Sequence, residues 1–89
     1  MKIKNGFVVK CIAGQNVVMA LGEASKIFNG IIKLNDSARF IWDRISEGYD
    51  RNQIVDALET EYPGVDRATL EKDVDSLIDT LKGANILEQ

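Results

Sequence analysis

The sequence predicts an α+β fold in which a three-stranded antiparallel sheet is followed by three helices. Three observations carry this reading. The apolar residues recur with a period near two up to Leu34 and near 3.6 beyond it. All strand-like runs precede all helix-like runs, an order that speaks against a wound parallel sheet. The chain has 89 residues, 45% of them hydrophobic, enough for one small core. No repeat, linker or low-complexity tract interrupts it, so residues 1–89 are read as one unit.

The first strand is Phe7–Ile12, with Phe7, Val9 and Cys11 on one face and Val8, Lys10 and Ile12 on the other. Ala13-Gly14-Gln15-Asn16 reads as a hairpin turn, and Val17–Leu21 as the second strand. Gly22–Asn29 is a polar connection in which Ile27 and Phe28 are expected to pin the chain to the core. Gly30–Leu34 is the third strand. Asn35, Asp36 and Ser37 then offer three candidate caps for a helix whose stripe is Ala38, Ile41, Trp42 and Ile45. Ser46-Glu47-Gly48 ends it. Asp50 and Gln53 have the spacing of a capping box for the second helix, whose stripe is Ile54, Leu58 and Tyr62. Pro63-Gly64 breaks that helix, and Asp66 caps the third. Leu70, Val74, Leu77, Ile78 and Leu81 form the third helix's apolar face, and it closes near Gly83–Asn85. Ile86-Leu87 is an apolar tail expected to fold back onto the core.

Composition excludes much chemistry. There is no histidine, hence no imidazole base, no histidine-based triad and no His-ligated metal. A single cysteine, Cys11, allows no intrachain disulfide and no CxxC pair, which suits a reducing cytoplasm. The opening MKIKNGFVVK lacks the long apolar stretch of a signal peptide, and no window approaches the roughly 18 apolar residues of a membrane span. The isolated glycines read as turn residues, not as a phosphate loop. Cys11 reads as a buried structural residue, and Asp75 and Asp79, four apart, as a solvated helix face. No metal, cofactor or catalytic site is expected.

The net charge of −3 hides a division. Residues 1–45 carry seven bases and three acids; residues 46–89 carry four bases and eleven acids. A sheet with three helices also fits a winged-helix DNA binder, with the third helix as reader. Residues 66–82 contain five acids and three bases, so that helix would meet phosphates with net negative charge. The third strand, in contrast, has no proline and only one charge, Lys33, to defend an open edge. Such an edge suits an added peptide strand, or pairing with a second copy in a homodimer.

Four segments carry a family resemblance. They are Ile32-Lys33-Leu34-Asn35-Asp36-Ser37-Ala38-Arg39-Phe40-Ile41-Trp42, then Ser46-Glu47-Gly48, then Ile54-Val55-Asp56-Ala57-Leu58 through Tyr62-Pro63, then Val65-Asp66 through Val74, Leu77 and Leu81 to Asn85-Ile86-Leu87. In order and spacing, over about residues 7–88, the chain resembles the PqqD family (coenzyme PQQ synthesis protein D), also described as the RiPP recognition element. Asn85 stands where that family usually has Gly, and Leu77 where an aromatic is common.

The resemblance implies a winged-helix-like domain that performs no chemistry. Such domains bind the leader of a ribosomally made precursor peptide as an added strand and present it to a maturation enzyme, in many cases a radical SAM enzyme. Carried over by position, the backbone edge would be Ile31, Ile32, Lys33 and Leu34. The helix side would be Lys72, Asp73, Ser76, Leu77 and Thr80. Leu77 and Ile32 would be apolar anchors; Lys33 and Lys72 would orient acidic leader residues, and Asp73 a basic one. The opposite flank, Glu71, Asp75, Ile78 and Lys82, remains an alternative at this level. So does a winged-helix DNA-binding regulator. The resemblance does not fix PQQ as the product, nor name the precursor or the enzyme.

Overall fold

The computed structural model describes residues 1–26, 28 and 30–88. Its elements run β1 (Lys2–Ile3), β2 (Phe7–Ile12), β3 (Gln15–Ala20), a 3-10 turn (Gly22–Lys26), β4 (Ile32–Leu34), α1 (Asp36–Ser46), α2 (Arg51–Glu61), α3 (Arg67–Gly83) and β5 (Leu87–Glu88). β2, β3 and β4 form an antiparallel sheet in that order. β1 and β5 pair in a separate two-stranded ribbon. The expected α+β order of three strands and three helices is present, and the ribbon is an addition to it.

The hairpin is tighter than its sequence suggests. Ala13 and Gly14 both take positive φ, 52° and 80°, the geometry of a two-residue turn matched to strand twist. Gln15 and Asn16 therefore belong to β3, opposite Ile12 and Cys11. Leu21 falls outside β3 and is half exposed. Cys11 is also exposed, against the expectation of burial. It shares a cross-strand row with Asn16 and Leu34; Leu34, on β4, is buried in the core, but Cys11, on β2 at the other end of the row, lies beyond the core's cover. Period two assigns a side chain to a face but does not say where that face stops being covered.

β4 is shorter than the predicted Gly30–Leu34. Only Val18, Val17 and Asn16 face it, opposite Ile32, Lys33 and Leu34. Before it, Phe28 packs edge-on against Phe7 of the core with ring centroids 5.6 Å apart. Ile27, expected to pin this connection, lies outside the described residues.

The helices follow their caps. The Asn35 side chain accepts from the Ala38 N–H at 2.8 Å and starts α1. Asp50 and Gln53 form the reciprocal capping box of α2. Asp66 accepts from the Thr69 N–H and starts α3. Asn85, at φ 61°, closes α3: its N–H donates to Lys82 O and the Ile86 N–H to Leu81 O, a Schellman arrangement with Asn in the glycine place. The helical stripes then meet the sheet face bearing Phe7, Val9, Val18, Ile32 and Leu34, and the helix residues Ile41, Trp42, Ile45, Ile54, Val55, Leu58, Val74 and Leu81 are buried among them. Ile86 and Leu87 are buried as the tail returns to β1.

Candidate functional site

β4 is the last strand of its sheet, so among the described residues one of its edges has no strand partner. Parity decides which backbone groups face that edge. In an antiparallel ladder, successive residues turn their N–H and C=O to opposite sides. The Leu21 N–H donates to Gly6 O on the β2 side, so odd residues of β3 bond toward β2 and even ones toward β4. Asn16 and Val18 thus exchange bonds with Leu34 and Ile32. Lys33, between them, turns its N–H and C=O outward, as does the chain at Ile31.

A groove of roughly 280 Å³ runs along this edge. Ile32, Lys33 and Leu34 form one wall, and Asp73, Ser76, Leu77 and Thr80 of α3 the other. The start of α1 closes the floor with Asn35, Ser37, Ala38 and Ile41. Leu77 and Ile41 are buried and give the floor its apolar character. The Thr80 hydroxyl donates to the Ser76 carbonyl at 3.0 Å. Among the described residues, no hydrogen bond or ion pair takes up the Asp73 carboxylate. A second hollow, sharing Lys33, Leu34 and Asn35, extends the groove to Gly14, Gln15 and Asn16 at the hairpin turn.

The sequence-predicted residues distribute unevenly over this groove. Ile32, Lys33, Leu34, Asp73, Ser76, Leu77 and Thr80 line it together. Ile31 precedes the strand and is 68% exposed; Lys72 is exposed and does not line the groove. The contribution of α1 was missed. Its signal was present: a cap at Asn35 directly after Leu34 leaves no connecting residue, so the first turn of α1 must sit beside the strand end.

The opposite flank of α3 faces α2. Arg51 donates to both Asp75 oxygens, at 2.6 and 2.9 Å, and reaches Glu71 at 3.5 Å. Hydrogen bonding to Arg51 holds the Asp75 carboxyl below the usual carboxylate range, and the Arg51 guanidinium is raised in turn, chiefly by Asp75. Asp75 is therefore an interhelical ion-pair partner on a helix face that stays about half exposed to solvent, with Asp79 exposed beside it. A larger hollow of about 530 Å³, lined by Arg51, Asp75, Ile78, Lys82 and Leu87 among others, opens here. It borders the two-residue ribbon and not β4, and its two central charges already satisfy each other. Among the described residues, no group of three metal-ligating side chains occurs, and no helix is long and apolar enough to cross a membrane.

The family model for coenzyme PQQ synthesis protein D matches residues 15–87, from β3 to β5. The chain belongs to the PqqD family. Two solved structures show how this PqqD-family chain compares. One is TbiB1 in complex with the TbiA(beta) leader peptide, 31% identical, covering 99% of this chain and 95% of that one with a TM-score of 0.78. The other is lasso peptide synthetase B1 complexed with the leader peptide, 22% identical, covering 99% and 96% with a TM-score of 0.77, a likeness of fold. No curated protein sequence matches this PqqD-family chain.

Proposed function

We propose that this protein is a non-catalytic adaptor that captures the leader of a ribosomally synthesised precursor peptide as a strand on β4. The observation that carries the reading is the groove itself, which joins an unpaired strand edge to a half-apolar wall of α3. Family membership and the likeness to TbiB1, determined with a leader peptide, support it. The peptide-contacting set is Ile31, Ile32, Lys33 and Leu34 on the strand, with Asp73, Ser76, Leu77 and Thr80 on the helix and Lys72 at the rim. The adaptor then presents the leader to a maturation enzyme of the radical SAM type, in the cytoplasm. The DNA-binding alternative is not favoured: a reading helix with five acids and three bases over residues 66–82 is repelled by phosphates.

Magnitudes say what must select the leader. Outward backbone groups at Ile31 and Lys33 allow about four main-chain bonds, each worth a net ~1 kcal/mol. Ordering each leader residue costs about 1–2 kcal/mol of backbone entropy. Main-chain bonds thus do little more than offset the ordering, and the net affinity comes from one or two apolar side chains over Leu77 and Ile32, at about 1.5–3 kcal/mol each. The test is a titration of the precursor peptide encoded beside the gene into ¹⁵N-labelled protein. Amides of residues 31–34 and 73–80 are expected to shift. A response confined to the Arg51–Asp75 side or to the outer sheet face overturns the proposal. So does tight, steeply salt-dependent binding of a DNA duplex in place of the peptide.

A further inference from the structure

We propose that Lys33 sets the charge of the strand that β4 accepts and keeps the edge from accepting itself. The inference rests on strand addition at β4. Lys33 is the central residue of a three-residue strand and the one whose N–H and C=O point outward. An added antiparallel strand therefore makes its hydrogen-bonded pair at Lys33. The residue of the newcomer directly opposite shows its side chain on the same sheet face as Lys33, with Cβ atoms about 5 Å apart.

That face is cationic. Lys10, Val17 and Lys33 lie in one cross-strand row, with Val17 buried between the two lysines. The other residues that β2 and β3 place on this face are uncharged. Among the described residues, neither lysine takes part in an ion pair. A carboxylate in the facing position gains a cross-strand partner in Lys33, and a lysine or arginine there meets the like charge of Lys33. Asp73, the carboxylate of the groove, lies on the α3 wall, where the neighbouring leader residue points. The two sides of one bound strand thus ask for opposite charges.

The same geometry acts against a homodimer through this edge. A twofold pairing of β4 with a second copy, centred on its outward-bonding residue, places Lys33 opposite Lys33. Sliding the register by two residues matches Lys33 with Ile31 or Asn35, both outside the strand. A lysine at the centre of an exposed edge is a known guard against self-pairing. Here it is also the selector of the foreign strand.

The experiment selects a displayed library of random ten-residue peptides in parallel on the wild type and on Lys33→Glu. The expected result is Asp or Glu at one fixed position for the wild type, and Lys or Arg at that position for the variant. Exchanging the charge in a synthetic copy of each selected peptide is expected to weaken binding about 3- to 10-fold. Hydrogen exchange of the Lys33 amide locates the bound strand. Protection of that amide with the same residue profile on both proteins overturns the role of Lys33 and leaves strand addition standing. Absence of protection by every selected peptide overturns strand addition itself, and this inference with it. Sedimentation equilibrium is expected to show tighter self-association of Lys33→Val than of wild type, and equal self-association overturns the guarding role.

Discussion

Gly6 sits at φ 95°, where a side chain is strained, and a Cβ there would lie 2.8 Å from Ala24 Cβ and 2.9 Å from the Leu21 carbonyl oxygen. The carbonyl belongs to the chain that leaves β3, and the Leu21 N–H is fixed by its bond to Gly6 O. Neither obstacle can turn aside. Gly6→Ala is therefore expected to destabilise the fold by about 1–3 kcal/mol, read as a lower denaturant midpoint with an unchanged slope. Nothing in the sequence separates Gly6 from the other glycines, because the clash comes from residues 15 and 18 positions away. Leu77 shows the reverse case. Its place in the helical stripe made it legible as apolar floor, and it is both buried and groove-lining. Leu77→Ser is expected to weaken leader binding by tenfold or more with stability lowered in parallel. Ser76→Ala, on the same wall but exposed, is expected to change affinity less than threefold and stability hardly at all. Isothermal titration alongside thermal unfolding separates the two.

At the scale of elements, α2 and α3 are joined by charge as well as by core. Arg51 pairs with Asp75 and Glu71, and Arg67 with Asp56 and Glu59. Asp75 and Asp66 both titrate below the usual carboxylate range, the first through Arg51 and the second through the Thr69 cap. A carboxyl depressed in the folded state contributes stability that is present above its unfolded pKa, about 4. That contribution is lost as pH falls through the lower folded value. Unfolding free energy is thus expected to be flat down to about pH 5 and to decline below about pH 4, and Arg51→Ala to shallow the decline. Acid titration of the denaturant midpoint checks both. Asp50→Ala removes the α2 capping box and is expected to cost about 1 kcal/mol. The helices were legible almost to the residue, because cap, stripe and breaker are all local. The strands were not: β4 begins only at Ile32, opposite Val18, and a strand's length is decided by a partner distant in sequence.

For the whole molecule, the ribbon of β1 and β5 joins residues 2–3 to residues 87–88. Two-residue strands have no period to read, so only the return of Ile86-Leu87 was visible in advance. Ile86 is fully buried where the ribbon meets the core. Ile86→Ala is expected to lower stability by about 2–5 kcal/mol, and hydrogen exchange to quicken first at β1 and the last turn of α3. The groove was legible on the side where the family pattern and the α3 stripe coincide. Its α1 floor escaped because those residues serve the core and the groove together.

The overhang of the β2–β3 hairpin has a practical consequence. It carries the one thiol of the chain, Cys11, into solvent, in the same cross-strand row as Leu34 and two strand spacings, about 10 Å, away from it. A fluorophore or spin label attached there needs no engineered cysteine and no cysteine removed. It would stand outside the core yet near enough to the groove's end to change its signal when a strand is taken up. The protein thus comes with an attachment point for a reporter of its own occupancy.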